Sequence, residues 1–220
     1  MRYFLFIVIF LGKVYGSATL RPVGCVGQGR IRVVTSAVKS LESFKINEYD
    51  EYQYLDIDPV VVYKSIGEKI EIGIRPLLFG MVFDVCWNVI KQKGFVPSFM
   101  VEVGAGNGAF WWPIFDAVLG GELIGEAGGY MGVEFKRIEL SFGLKTIYFN
   151  LTYSLEEKEY ISSLTLLFLN FILPLKKSVK VGLEIGKFIQ YSPFYCSNVL
   201  TSPYLGFGMI TFFNMEDAGN

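Results

Sequence analysis

Histidine is missing altogether from these 220 residues. No other unperturbed side chain titrates near neutrality, so a Ser-His mechanism is excluded and a metal site loses its usual nitrogen ligand. Cysteine is scarce: Cys25, Cys86 and Cys196 lie far apart and form no CxxC or Cys/His spacing. Neither a zinc site nor a disulfide framework is indicated, although one pair could form and leave one thiol. Cys25 is also a poor lipid attachment site, because it lies well beyond the first apolar run and follows Arg21-Pro22-Val23-Gly24. Clustered positive charge is lacking too. With 20 Lys and Arg against 21 Asp and Glu, the chain offers no basic footprint for phosphate backbones, and nucleic acid is not an expected partner.

A long hydrophobic run is the last absence. Although 52% of the residues are hydrophobic, the best internal candidate, Ile161 to Leu175, has only fifteen residues and includes Ser162, Ser163, Asn170 and Pro174. A membrane helix needs about 20 apolar residues, whereas a strand crosses with about 9–11. The shorter run at the chain start reads differently. A charge at Arg2, apolar residues from Tyr3 to Leu11 and small residues from Gly16 to Ala18 predict a cleavable secretory signal over residues 1–16. Its removal takes Arg2 and Lys13 with it and leaves the chain more acidic.

What the chain has in quantity is alternation of period two. Val179, Val181, Leu183 and Ile185 fall on one face of a strand, and Lys180, Gly182, Glu184 and Gly186 on the other. The same division sets Ile70, Ile72 and Ile74 against Glu71, Gly73 and Arg75. It sets Phe83, Val85 and Trp87 against Asp84, Cys86 and Asn88, and Val101 and Val103 against Glu102 and Gly104. Met131, Val133 and Phe135 continue it, but Ile138, Leu140 and Phe142 have the other parity, so a tight turn or bulge is expected near Lys136 and Arg137. Leu205, Phe207, Met209 and Phe213 mark a last strand. Residues 114–129, with five glycines and three acids, read as a long exposed loop. Residues 17–50 are expected to form an N-terminal segment in which Val34, Ala37, Val38, Leu41 and Phe44 suit one amphipathic helix, with a first strand and loop as the alternative.

A bare hydrocarbon stripe facing one of charge and glycine is what a sheet shows when one face meets lipid and the other a polar interior. The predicted fold is therefore all-β: a closed antiparallel up-and-down transmembrane β-barrel over residues 51–213, with residues 214–220 as a frayed tail. An even strand number is required, and eight is preferred with ten as the alternative. The high apolar content favours a narrow barrel filled by side chains over an open channel. Glu71, Arg75, Asp84, Glu102, Glu134, Lys136, Lys180 and Glu184 form the expected inward polar network, five acids and three bases. Their expected role is mutual neutralisation across the lumen, because an unpaired buried charge is costly; a weakly acidic pore or binding site is the functional alternative. Glu102 with Glu134 is the remaining acid pair for catalysis, and it too reads better as paired with lysine or arginine. No catalytic, cofactor-binding or metal-binding residue is assigned, and no cofactor is expected.

The signal sequence, the Gly-rich strand Gly129-Tyr130-Met131-Gly132-Val133-Glu134-Phe135 and the final Pro203-Tyr204-Leu205-Gly206-Phe207-Gly208 together resemble the small outer-membrane β-barrel proteins of bacteria. The resemblance implies the lipid bilayer and the outer-membrane assembly machinery as partners, an outer-membrane location, and an envelope structural, adhesion or small-molecule-binding role with an unnamed ligand. Barrel lipases, acyl-removing enzymes and proteases resemble this architecture as well, but they rely on histidine, and an enzyme is not expected. One rival comes from a different class. Val101-Glu102-Val103-Gly104-Ala105-Gly106-Asn107-Gly108 resembles the glycine loop of S-adenosylmethionine-dependent methyltransferases, which implies Glu134, ending the next strand, as the ribose-binding carboxylate. Such a loop must open a helix, and Phe110-Trp111-Trp112-Pro113 makes a poor first turn.

Overall fold

The computed structural model describes residues 20–27, 29–42, 44–45, 51–52, 55–77, 80–112, 117–153, 158–191 and 199–214. The expected signal over residues 1–16, Cys196 and residues 215–220 lie outside the described residues. Every regular element described is a strand: β1 (Arg30–Ser40), β2 (Phe44–Lys45), β3 (Glu51–Tyr52), β4 (Leu55–Ile66), β5 (Ile70–Leu77), β6 (Gly80–Ile90), β7 (Ser98–Trp112), β8 (Ala117–Phe135), β9 (Ile138–Tyr153), β10 (Lys158–Lys176), β11 (Val179–Tyr191) and β12 (Val199–Asn214). The pair β2–β3 is a two-residue ladder within the β1–β4 connection. The other ten strands pair in chain order, all antiparallel, and β1 closes the sheet by pairing with both β4 and β12. The fold is a closed up-and-down barrel of ten strands, the alternative count rather than the preferred eight. The extra strand pair comes from segments whose periodicity was masked.

One of those segments is β1. Within residues 17–50, where a helix or a first strand and loop was expected, Arg30–Ser40 is the strand, with Arg32, Val34, Ser36, Val38 and Ser40 buried. Val34 and Val38 share a face at a spacing of four, which period two satisfies as well as period 3.6. The partners decide: Val33 lies opposite Val62 on one side and Thr211 on the other. The glycine-rich stretch expected as a loop is likewise mostly strand, since β8 begins at Ala117 and pairs with β7 along Gly104↔Glu126 and Glu102↔Gly128. Within it, a Cβ at Gly128 would lie 3.1 Å from the Leu144 carbonyl oxygen of β9.

Alternation of direction gives the barrel two unlike ends. At one end lie the short turns after β4, β6, β8 and β10, together with the start of β1 and the finish of β12. The register flip read near Lys136 and Arg137 is the β8–β9 turn, where Lys136 holds a left-handed φ of 58°. At the other end lie the connections after β1, β5, β7, β9 and β11. The outward faces are apolar over most of the barrel: Ile72, Phe83, Val103, Phe142, Leu169, Ile185 and Phe207 are all exposed. Several inward positions carry glycine where a side chain would collide. A Cβ at Gly106 would lie 2.7 Å from the Cα of Val82 on the adjacent strand, whereas one at Gly125 would meet nothing within 4 Å.

Gly106→Val is therefore expected to destabilise the folded barrel by about 1–3 kcal/mol or more, because the β6–β7 ladder must open. Gly125→Ala should leave stability within about 0.5 kcal/mol of the parent. Urea midpoints in detergent micelles check both.

Candidate functional site

The residues ahead of β1 do not lie outside the sheet. Leu20, Arg21, Pro22 and Val26 are buried, and the segment runs inside the short-turn half of the barrel. Glycines on three strands make its seat: a Cβ at Gly208 of β12 would sit 2.7 Å from the Leu20 side chain, one at Gly132 of β8 would sit 2.7 Å from Val23, and Gly182 of β11 faces Leu20 as closely. Two left-handed glycines, Gly24 (φ 86°) and Gly29 (φ 75°), let the chain bend within the lumen and leave it for β1. The backbone of this plug is bonded to the wall. The Val23 amide donates to Glu139 at 2.8 Å, the Val26 amide donates to Glu71, and the Ser141 hydroxyl donates to the Arg21 carbonyl at 3.4 Å.

Around the plug the wall presents charge in compensated pairs. Arg21 meets Glu102 at 2.6 Å and lies 4.0 Å from Glu71, while Arg32 meets Glu71 at 2.6 Å. Both guanidinium groups pack on the Tyr63 ring, 4.1 and 4.7 Å from its centre, which adds a cation–π attraction in a desolvated place. Deeper in, Lys145 stands between Glu102 at 3.2 Å and Glu126 at 3.1 Å. Arg75 bonds Glu126 and lies 3.6 Å from Asp84. The Tyr130 hydroxyl donates to Glu102, and the Tyr204 hydroxyl donates to Glu184 at 2.8 Å.

Asp84, Glu102 and Glu126 bring carboxylate oxygens within 4.8 Å of one another, a donor set suited to a hard cation. Here the Lys145 ammonium and the Arg75 guanidinium supply the positive charge. The cluster is thus an ion-pair network in which the cations are covalent parts of the chain. Such a network holds a lumen together only if each charge keeps its partner.

Of the residues expected to face inward, Glu71, Arg75, Asp84, Glu102 and Glu184 are buried in the lumen. Lys180 is half-buried and pairs with Glu139. Glu134 and Lys136 do not join them: both are exposed at the β8–β9 turn. They have the inward parity of Tyr130 and Gly132, but the strand runs out of the barrel before reaching them. Sequence reading missed Arg21, Arg32, Glu126, Glu139 and Lys145. The parity of Ile138, Leu140 and Phe142 pointed to Glu139 and, three alternations on, to Lys145. Arg21 belongs to no strand, so no periodicity could have found it. The glycine motif from Val101 to Gly108 lies within β7, paired on both sides along Val103↔Val85 and Val103↔Ala127. It opens no helix, and the methyltransferase reading loses the backbone geometry it needs.

Cys86 sits beside this network with its Sγ 3.5 Å from the Tyr130 hydroxyl, and neither it nor Cys25 is in a disulfide.

Lys145→Met is expected to cost about 3–5 kcal/mol, because two carboxylates would lose their shared cation inside the barrel. Adding Glu102→Gln to that variant should restore part of the loss. Urea unfolding in detergent measures both steps.

The chain matches no protein-family model and no curated protein. Among solved structures it aligns with the outer membrane channel DcaP of Acinetobacter baumannii, at 8% identity and a TM-score of 0.29, over 84% of this chain and 96% of that one. The ten-stranded barrel follows from the chain's own strand pairing.

Proposed function

We propose that this chain is a lipid-embedded barrel of the bacterial outer membrane, exported by the signal over residues 1–16. Its lumen is closed by its own N-terminal segment, and it serves as an envelope structural, adhesion or small-molecule-binding protein. The observation that carries the reading is the inversion of the two faces. Large apolar side chains such as Trp87 and Phe142 stand outward while Arg32, Glu71 and Asp84 are fully buried inside. Water would favour the reverse, and lipid around a closed sheet favours this arrangement, since closure leaves no backbone group unpaired in hydrocarbon. Strand β12, with Phe207 and Phe213 outward, is the segment that assembly machinery would receive. The plug and the paired charges occupy the short-turn half of the lumen, which supports a closed barrel over an open pore.

Circular dichroism and gel migration of the detergent-extracted chain test the membrane reading. A strand-dominated, heat-resistant form is expected, and a water-soluble form without detergent overturns it. Planar-bilayer recording tests closure. The parent chain should show no discrete conductance steps. Arg21→Ala, which frees the plug from Glu102 and Glu71, should produce intermittent ones; steady steps from the parent would show that the lumen is open.

A further inference from the structure

At the short-turn rim of the barrel, a cleft of about 410 Å³ lies between the β8–β9 and β10–β11 turns. It exists because β10 outlasts its neighbour: pairing with β9 stops at Ile172↔Glu139, while pairing with β11 continues to Lys176↔Val179. The β10–β11 hairpin therefore overhangs the β8–β9 turn. Arg137, Lys176, Lys177 and Lys180 line the space, against one carboxylate, Glu134. Lys180 is committed to Glu139 on the inner wall. Among the described residues, Arg137, Lys176 and Lys177 have no ion-pair partner. Three uncommitted cations on two adjacent turns repel one another, and an anion between them removes that cost.

The cleft also has an apolar side. Pro174 and Leu175 line it, and Leu175 is 65% exposed. Next to it Phe135 stacks on Phe95, with ring centres 6.2 Å apart, and the Lys136 ammonium lies 5.5 Å from the centre of the Phe135 ring. Exposed aromatics meeting cations at strand ends mark where hydrocarbon gives way to headgroups. The left-handed Lys136 adds to this, because two-residue hairpin turns favour glycine or asparagine at such a position, and a basic residue there retains charge at a cost in strain.

We propose that this cleft binds the phosphate of an anionic phospholipid in the leaflet on the short-turn side, with Arg137, Lys176 and Lys177 around the headgroup. The acyl chain follows Leu175 and Leu173 down the outward face of β10. The proposal rests on the membrane-barrel reading. A free phosphate would use the cations alone, whereas a lipid uses the cations and the apolar wall together.

Native mass spectrometry of the full chain in a zwitterionic detergent tests it, with phosphatidylglycerol and phosphatidylcholine of the same acyl chains as probes and inorganic phosphate as competitor. Phosphatidylglycerol should be retained preferentially, and Arg137→Gln, Lys176→Gln and Lys177→Gln should each reduce that preference roughly fivefold. Strand content and heat-resistant migration of the same samples report the barrel separately, so a chain that never forms one fails there first. Equal retention of both lipids by an intact barrel, or an undiminished preference in the triple variant, overturns the cleft. Displacement of the lipid by equimolar inorganic phosphate overturns the lipid as its occupant.

Discussion

Arg21 is the one fully buried cation described in the lumen that no strand supplies, and the charge balance of the wall turns on it. The strands bring Glu71 and Glu102 inward from β5 and β7 and provide Arg32 and Lys145 as partners. Arg21 reaches both carboxylates from the centre, on a segment whose Val23 and Val26 backbone amides donate hydrogen bonds to Glu139 and Glu71. Desolvated charges cost several kcal/mol each unless their partners are well placed. Arg21 meets its partners from within the lumen, whereas Lys145 and Arg75, which also reach two carboxylates each, do so from the wall.

The plug in turn depends on glycine. Gly132, Gly182 and Gly208 stand on β8, β11 and β12 where Leu20 and Val23 press against the sheet. Their lack of side chains leaves room in a narrow, side-chain-filled barrel for the buried residues Leu20, Arg21, Pro22 and Val26. Outside, bulky apolar side chains cover the same strands. Closure of the sheet leaves no barrel strand with an unpaired edge.

The two ends of the barrel differ for a related reason. At the short-turn end the overhang of β10 past β9 gathers Arg137, Lys176 and Lys177, which have no ion-pair partner among the described residues. In the lumen Arg21, Arg32, Arg75 and Lys145 each meet a carboxylate; at this rim the three cations do not. Charge handled one way in a desolvated interior and another at a wet boundary follows from the difference in dielectric.

Much of this was legible in the residues. Period-two alternation from Lys69 onward located β5, β6, β7, β11 and β12 and assigned Glu71, Arg75, Asp84, Glu102 and Glu184 to the inner face, since the side-chain direction of a strand follows from parity alone. The strand number, the strand character of Arg30–Ser40 and the continuity of β8 through its glycines were decided by pairing with neighbours, because a spacing of four fits helix and strand alike and glycine carries no pattern. The approach of Arg21 to Glu102, like that of Lys145 to Glu126, is a contact between segments distant in the chain. Only closure of the sheet around residues 20–27 brings them together, and no local periodicity encodes where a closed wall will meet what it encloses.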